Sequence, residues 1–141
     1  MADTGPLLVV AAALIDARGR VLVQQRPAGK SLAGLWEFPG GKLEPGESPA
    51  MALVRELAEE LAIEVEPADL RPITFADEDI GARRLILLLY LLTRWRGTPV
   101  AVEASALAWE APGRLGRLAM PRADRPLVTA LQLHLGQAST G

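Results

Sequence analysis

Residues 40–63, which read GGKLEPGESPAMALVRELAEELAI, decide how this chain folds. The first half is rich in glycine and predicts a turn, and the second half predicts one helix. Ser48 is a good helix N-cap, and Pro49 follows it at the first helical position, where a missing N–H costs nothing. Apolar residues then recur every three or four positions, at Ala50, Leu53 or Val54, Leu57 and Leu61. This spacing is typical of an amphipathic helix.

Three glutamates, Glu56, Glu59 and Glu60, share the opposite face of the predicted helix. Like charges at this spacing destabilise a helix by about 0.2–0.5 kcal/mol per pair. Arg55 offsets only part of this repulsion, because one cation faces three anions. A divalent cation would offset it, since carboxylate and carbonyl oxygens suit Mg²⁺ and Mn²⁺. The alternative is a solvated acidic face, but the adjoining glycines and Glu47 favour a metal site.

The same stretch resembles the signature of the Nudix hydrolases, G-x5-E-x7-R-E-U-x-E-E-x-G-U, in which U is aliphatic. The matching residues are Gly41, Glu47, Arg55, Glu56, Leu57, Glu59, Glu60 and Ile63. Ala62 stands where the family has glycine, which ends the helix in a left-handed conformation. We expect a strained or slightly longer helix end there. The resemblance implies an α/β Nudix fold, with a mixed β-sheet sandwiched between α-helices.

Apolar runs separated by turn residues predict strands on both sides of this helix. They are 7–15, 21–25 after a hairpin turn at 16–19, the short 36–38, 70–75, 84–95 and 107–110. The longest run, 84–95, is predicted to be central, and the acidic residues 77–81 predict a turn before it. Residues 121–135 predict the second helix, with Leu127, Leu131 and Leu135 on one side. This order favours a mixed sheet between helices.

Composition limits the class of protein. The 141 residues predict a single domain, 1–141, with an ordered core of about 5–135. The net charge of −2 argues against a binder of nucleic-acid polymers, and the absence of cysteine excludes thiolate metal sites. The apolar run 7–15 has no basic residues before it, and 85–92 is too short to span a membrane. We therefore expect a cytoplasmic monomer or homodimer with no membrane partner.

Four further segments resemble the MutT-type branch of the Nudix family. They are QRP at 25–27, GLWEFPGGK at 34–42, RWRG at 94–97 and PRADRPL at 121–127. This branch hydrolyses 8-oxo-dGTP to the monophosphate and pyrophosphate and so sanitises the nucleotide pool, while sister enzymes act on CTP or modified pyrimidine triphosphates. The resemblance implies a Mg²⁺-dependent pyrophosphohydrolase, with Mn²⁺ as a possible metal and a nucleoside triphosphate as substrate.

Two alternatives accompany this interpretation. One is an enzyme that prefers CTP or modified dCTP. The other is a catalytically inactive Nudix domain that binds nucleotides, although such domains usually lose signature carboxylates that this chain keeps.

The resemblance also assigns roles at the metal end of the site. The Gly41 carbonyl and the carboxylates of Glu56, Glu59 and Glu60 would be metal ligands, and Glu47 and Arg55 would hold the turn against the helix. Glu103 follows the long strand, where the branch keeps a glutamate as ligand or general base. Family members often have Gly-Gln after it, and this chain has Ala104 and Ser105. The sequence does not decide between Glu56 and Glu103 as the base.

Four residues are candidates for binding the substrate. Arg26 would meet the phosphates, because a guanidinium fork suits phosphate oxygens. Phe38 and Ile80 would line the base pocket, unless they only pack in the core. Asp124 would read the base edge, since the branch places Asn or Asp there. It would also be a candidate N-cap of the last helix, because it precedes Arg125 and Pro126.

Overall fold

Two β-sheets and two long helices make up residues 5–136, the part of the chain that the computed structural model describes. The strands are β1 (Leu7–Leu14), β2 (Val21–Gln25), β3 (Trp36–Glu37), β4 (Gly40–Lys42), β5 (Arg71–Ile80), β6 (Arg83–Leu92) and β7 (Ala106–Glu110). The helices are α1 (Pro49–Leu61) and α2 (Asp124–His134), and short 3₁₀ helices cover Pro67–Asp69 and Pro112–Arg117.

Strands β1 and β6 form the centre of a mixed four-stranded sheet with the order β4-β1-β6-β5. They run parallel, whereas β4 and β5 are antiparallel to their neighbours and form the edges. The second sheet is antiparallel and has the order β3-β2-β7. The predicted α/β class and the central position of the long apolar strand are confirmed. The strands are divided between two sheets instead of sharing one.

The two faces of β1 are buried against different helices, because successive side chains of a strand point to opposite sides. One core cluster joins alternate residues of β1 to α1, namely Val10, Ala12 and Leu14 with Ala52, Leu53, Leu57 and Leu61. Another cluster joins the other face to α2, namely Ala11 and Ala13 with Leu127, Val128 and Leu131. The four-stranded sheet is therefore sandwiched between the helices, as predicted.

The hairpin turn at 16–19 forms, but the strands on either side of it soon separate. The Asp16 N–H donates to the Arg20 carbonyl at 3.0 Å, and Gly19 has a φ of 77°, which favours glycine. A single antiparallel bridge joins Ile15 to Val21. Beyond it, β1 and β2 enter different sheets, because each finds its partners elsewhere in the chain.

Two segments that predict turns are strands in the structure. The prediction of an acidic turn at 77–81 is wrong for its first four residues, which continue β5 as far as Ile80. Arg84 of the neighbouring strand pairs with Asp77 at 3.2 Å and Asp79 at 3.3 Å, and this cross-strand attraction accommodates acidic residues there. Gly40–Lys42, predicted to be part of a turn, pairs with β1. A Cβ at Gly40 would overlap the Val10 carbonyl, so glycine permits this approach.

The signature helix α1 has the predicted boundaries. The Ser48 hydroxyl accepts a hydrogen bond from the Met51 N–H at 3.3 Å, and Pro49 opens the helix. Ala62 ends it in a left-handed conformation with φ of 58°. Alanine therefore occupies the conformation in which the signature has glycine, at a cost of about 1 kcal/mol. Within residues 5–136, neither helix is long and apolar enough to cross a membrane.

Candidate active site

Arg55 ties the turn before α1 to the first half of that helix. Its guanidinium donates to both carboxylate oxygens of Glu47, at 2.7 and 2.8 Å, and to the Lys42 carbonyl at 3.1 Å. It also donates to Glu56 at 2.9 Å and Glu59 at 3.3 Å. The hydrogen bonds from Arg55 lower the pKa of Glu47 to about 2. This network fixes the position of the turn relative to the helix.

Glu60 lies in a mostly buried position on the face of α1 that meets β2 and β4. Its Oε2 atom accepts hydrogen bonds from the Gln24 amide at 3.0 Å and from the Gly40 N–H at 3.1 Å. Burial nevertheless raises the pKa of Glu60 to about 7. Burial also raises the pKa of Glu56, with Glu59 and Glu103 acting in the same direction against Arg55. Two carboxyl groups are thus held where negative charge is costly.

Glu56 and Glu60 line one end of a cavity of about 680 Å³. Gly40, Gly41 and Lys42 lie at the same end. The rest of the wall is largely apolar and comes from the four-stranded sheet, from the loop before β3 and from the segment before α2, namely Val9, Ala11, Leu32, Leu35, Leu85, Leu87, Met120 and Pro121. The cavity is large enough for a nucleotide, and its lining changes from carboxylates to apolar side chains.

The four residues expected from the sequence to bind the substrate, Arg26, Phe38, Ile80 and Asp124, all line this cavity. Phe38 is buried in the core cluster under α2, so it both lines the cavity and packs in the core. Ile80 is 41% exposed at the end of β5. Arg26 is already engaged, because its guanidinium donates to Glu37 at 3.0 Å and to the Ser31 carbonyl at 2.7 Å.

Asp124 is 7% exposed and lies beside Phe38. The Phe38 N–H donates to its carboxylate, yet burial, aided by the charge of Glu37, raises the pKa of Asp124 to about 7. Asp124 is the first residue of α2, Ala123 occupies the N-cap position, and no side chain caps this helix. The alternative role as N-cap is therefore wrong. The short turn before the helix points this carboxyl group into the cavity instead.

Two predicted ligands lie outside the main cavity. Glu59 is exposed and contacts Arg55. Glu103 is also exposed, in the loop before β7, and lines a separate cavity of about 170 Å³ with Gln24, Lys30 and Glu60. Within residues 5–136, no three carboxylate or histidine side chains converge on one point. The structure thus brings Glu56 and Glu60 together with Gly41, and it leaves Glu59 and Glu103 outside the main cavity.

A family model for the NUDIX domain matches residues 5–131 of the chain. The chain belongs to the Nudix family. It is 40% identical over 124 residues to the CTP pyrophosphohydrolase of Escherichia coli (strain K12), a match that covers 88% of this chain and 90% of that protein. It is 38% identical over 96 residues to the 8-oxo-dGTP diphosphatase of Proteus vulgaris, which covers 68% of this chain and 84% of that protein.

A solved structure from work on MutT of Aliivibrio salmonicida and Vibrio cholerae is similar in fold as well. Its TM-score is 0.79 at 31% identity, and the match covers 92% of this chain and 98% of that one. This protein is therefore a MutT-type Nudix hydrolase.

Nudix hydrolases generally need a divalent metal, and the Gly41 end of the cavity has donors that fit one. A Cβ at Gly41 would overlap the Glu56 carboxylate, so glycine keeps the backbone against this group. Carboxylate and backbone carbonyl oxygens are the donors that hard divalent cations prefer. A cation here would also offset the cost of holding Glu56 and Glu60 as anions in a buried site.

Sequence reasoning missed three polar residues of this Nudix site. Gln24 donates to Glu60, Glu37 holds Arg26, and Glu78 lines the cavity from β5. Gln24 left a signal in the sequence, since it follows three apolar residues in the same strand, but its near-complete burial is seen only in the structure. Glu78 left none, because the acidic segment around it resembled a turn.

Proposed function

We propose that this protein hydrolyses nucleoside triphosphates to the monophosphate and pyrophosphate, with 8-oxo-dGTP as the first candidate substrate. The observation that carries the proposal is a single cavity that joins the carboxylates of α1 to the buried carboxyl group of Asp124. A nucleotide has the same polarity, with its phosphates at one end and a flat, largely apolar base at the other. The proposed setting is the cytoplasmic nucleotide pool, which such an enzyme would sanitise.

At the phosphate end, we assign Gly41, Glu56, Glu59 and Glu60 as ligands of Mg²⁺, with Mn²⁺ as a substitute. When bound, the cation would neutralise the phosphates, polarise the phosphoryl oxygens and lower the pKa of a bound water. Glu47 and Arg55 keep the turn and helix in register, which the hydrogen bonds of Arg55 support. Glu56 and Glu103 are both candidates for the base that receives the proton of the water.

At the base end, Phe38 and Ile80 would contact the base and Asp124 would read its edge. A neutral carboxyl group both donates and accepts a hydrogen bond, whereas a carboxylate only accepts. Because the pKa of Asp124 is about 7, both forms are accessible near neutral pH. Arg26 could bind the phosphates only if it gave up its hydrogen bonds to Glu37. If it keeps those hydrogen bonds, its role would be to orient Glu37.

CTP or modified dCTP is the second candidate substrate. The observation that favours it is the carboxyl group of Asp124 itself, because its carboxylate would accept a hydrogen bond from the amino group of cytosine. The relative named CTP pyrophosphohydrolase matches 88% of this chain, which also favours this candidate.

The test is a comparison of kcat/KM with Mg²⁺ for 8-oxo-dGTP, dGTP, CTP and 5-methyl-dCTP, with the products identified. We expect a monophosphate and pyrophosphate from the preferred substrate. A preference for 8-oxo-dGTP over dGTP of about 100-fold, equivalent to about 2.7 kcal/mol, would support the first candidate. A profile led by the cytosine nucleotides would support the second. No pyrophosphate from any of the four would overturn the proposal.

A further inference from the structure

Glu78 is a charged residue on the apolar floor of the cavity. Side chains of β5 alternate between the two faces of the sheet, and Ala76 on the α2 face belongs to the core cluster that includes Leu127. Glu78 and Ile80 follow at two-residue intervals and line the cavity. The cross-strand neighbour of Glu78 is Leu85, which lines the cavity as well. The carboxylate thus reaches the same space as the apolar residues that would contact a base.

The protein engages this carboxylate only weakly. One oxygen of Glu78 lies 3.7 Å from the Arg122 guanidinium, and the arginine side chain is 87% exposed. This distance is too long for a hydrogen bond, and within residues 5–136 the Glu78 side chain accepts none. An ion pair of this length with an exposed arginine is a weak interaction, although the Glu78 side chain itself is only 26% exposed. Glu78 is therefore available to a ligand in the cavity, unlike Glu37, which is held by Arg26.

The position of Glu78 in the sheet places it far from the proposed phosphate site. Gly41 lies on β4, at one edge of the four-stranded sheet, and Glu78 lies on β5, at the other edge. Three strand spacings separate the two strands, or about 14 Å across the sheet. The register adds an offset along the strands, because Gly41 pairs with Val10 of β1 whereas Glu78 is level with Leu7. A nucleotide that binds with its phosphates beside Gly41 would extend across the sheet and direct its base towards β5.

We propose that Glu78 is a specificity-determining residue that accepts a hydrogen bond from an amino group on the substrate's base. This inference rests on the proposed function and narrows its substrate class to nucleotides with an amino-bearing base, such as cytosine or a guanine derivative. An ionised carboxylate has acceptors only. A base with a carbonyl in place of the amino group would present a lone pair to it and leave both groups without a partner, which strongly disfavours binding.

The experiment uses pairs of substrates in which a carbonyl replaces the amino group, CTP with UTP and 8-oxo-dGTP with 8-oxo-dXTP, the xanthine analogue. The ratio of kcat/KM within each pair is measured with Mg²⁺ for the wild type and for Glu78→Gln. The ratio is independent of the fraction of active enzyme, so partial misfolding does not disturb it. We expect the wild type to favour the amino-bearing member of its preferred pair by about tenfold or more. The Gln amide offers a donor to the carbonyl, so the variant should lose most of that preference.

Two control variants separate a direct contact from other effects. Asp77→Asn makes the same change in charge one residue earlier on β5, on the opposite face, and should keep the wild-type ratio. Arg122→Ala removes the ion-pair partner and should keep or increase the ratio. If Arg122→Ala lowers the ratio as Glu78→Gln does, Glu78 acts through Arg122 and the direct contact is overturned.

The remaining outcomes distinguish this inference from the function on which it rests. Two outcomes would overturn the role of Glu78 and leave the hydrolysis of nucleoside triphosphates standing. In one, the wild type shows no preference within the pair that it hydrolyses faster. In the other, the kcat/KM ratio of Glu78→Gln equals that of the wild type. A wild type that releases no pyrophosphate from any of the four substrates would overturn both.

Discussion

The two ends of the cavity differ in how far apart their residues lie in the sequence. At the α1 end, Gly41, Glu56 and Glu60 come from one continuous stretch, and their positions follow from one turn and one helix. At the other end, Glu78 comes from an edge strand and Asp124 from the start of the last helix. Helical spacing determines the first arrangement, whereas the second depends on strand register and on the packing of α2 against β5.

This contrast implies a division of labour between the two ends. The α1 end would carry the chemistry common to all nucleoside triphosphates, and the other end would choose among bases. A substitution at the α1 end should then slow every substrate equally, while a substitution at the base end should change the ratio between substrates.

The largest effect is expected for Glu60→Gln. The amide keeps an oxygen that accepts from the Gly40 N–H, so the fold should survive. If Glu60 is a ligand of the metal, as proposed, its loss should lower kcat by roughly 100-fold or more, because several kcal/mol of charge stabilisation is lost. Steady-state kinetics with Mg²⁺ would measure this loss.

The matched control is Glu64→Gln, which makes the same change just beyond the end of α1. Glu64 is exposed and pairs with Arg96 at 2.8 Å. The Glu64→Gln variant should retain wild-type turnover. Near-normal turnover of Glu60→Gln would remove Glu60 from the proposed metal site.

A smaller effect, on stability, is expected at the base end from Asp124→Asn. Burial raises the pKa of Asp124 from 3.8 to about 7, so between these values the folded state keeps a proton that the unfolded state has released. This contribution to wild-type stability should therefore fall as the pH rises from about 4 to about 7, and then level off. The difference in the free energy of unfolding, variant minus wild type, should therefore become more positive over the same pH range, by at most about 1.4 kcal/mol per pH unit.

Urea unfolding of both proteins at several pH values would measure this difference. The variant Asp79→Asn, which makes the same substitution at an exposed aspartate beside Arg84, is the comparison for the effect of burial. A constant difference between Asp124→Asn and the wild type from pH 4 to pH 8 would mean that folding does not raise the pKa of Asp124.

The sequence predicts the α1 end well because its signals are local. Ser48 and Pro49 mark the start of the helix, and the apolar spacing identifies its buried face, as the structure confirms. The spacing also places Glu56 and Glu60 on one face, and both line the cavity. The exposure of Glu59 was not predictable, because it depends on how far the helix is rotated against the sheet.

The base end is harder to predict because its residues meet only in the folded protein. The segment 77–81 has the composition of a turn, and its backbone pairing with β6 makes residues 77–80 part of β5, with Arg84 beside its aspartates. That pairing in turn places Glu78 in the cavity. Strand β4 escaped prediction for a similar reason, since Gly40 becomes a strand residue only where Val10 approaches it. Asp124 was identifiable through the family resemblance, but its burial was not.

The most direct test of the division of labour is the ratio of kcat/KM for 8-oxo-dGTP and CTP, measured in the wild type, Glu60→Gln and Asp124→Asn. We predict that Glu60→Gln lowers both values and leaves their ratio unchanged. Above pH 7, where the carboxyl group of Asp124 is mostly ionised, Asp124→Asn should change the ratio by about tenfold or more, because an amide presents a donor where the carboxylate has only acceptors. A ratio that moves as far in Glu60→Gln as in Asp124→Asn, or that stays fixed in both, would contradict the account.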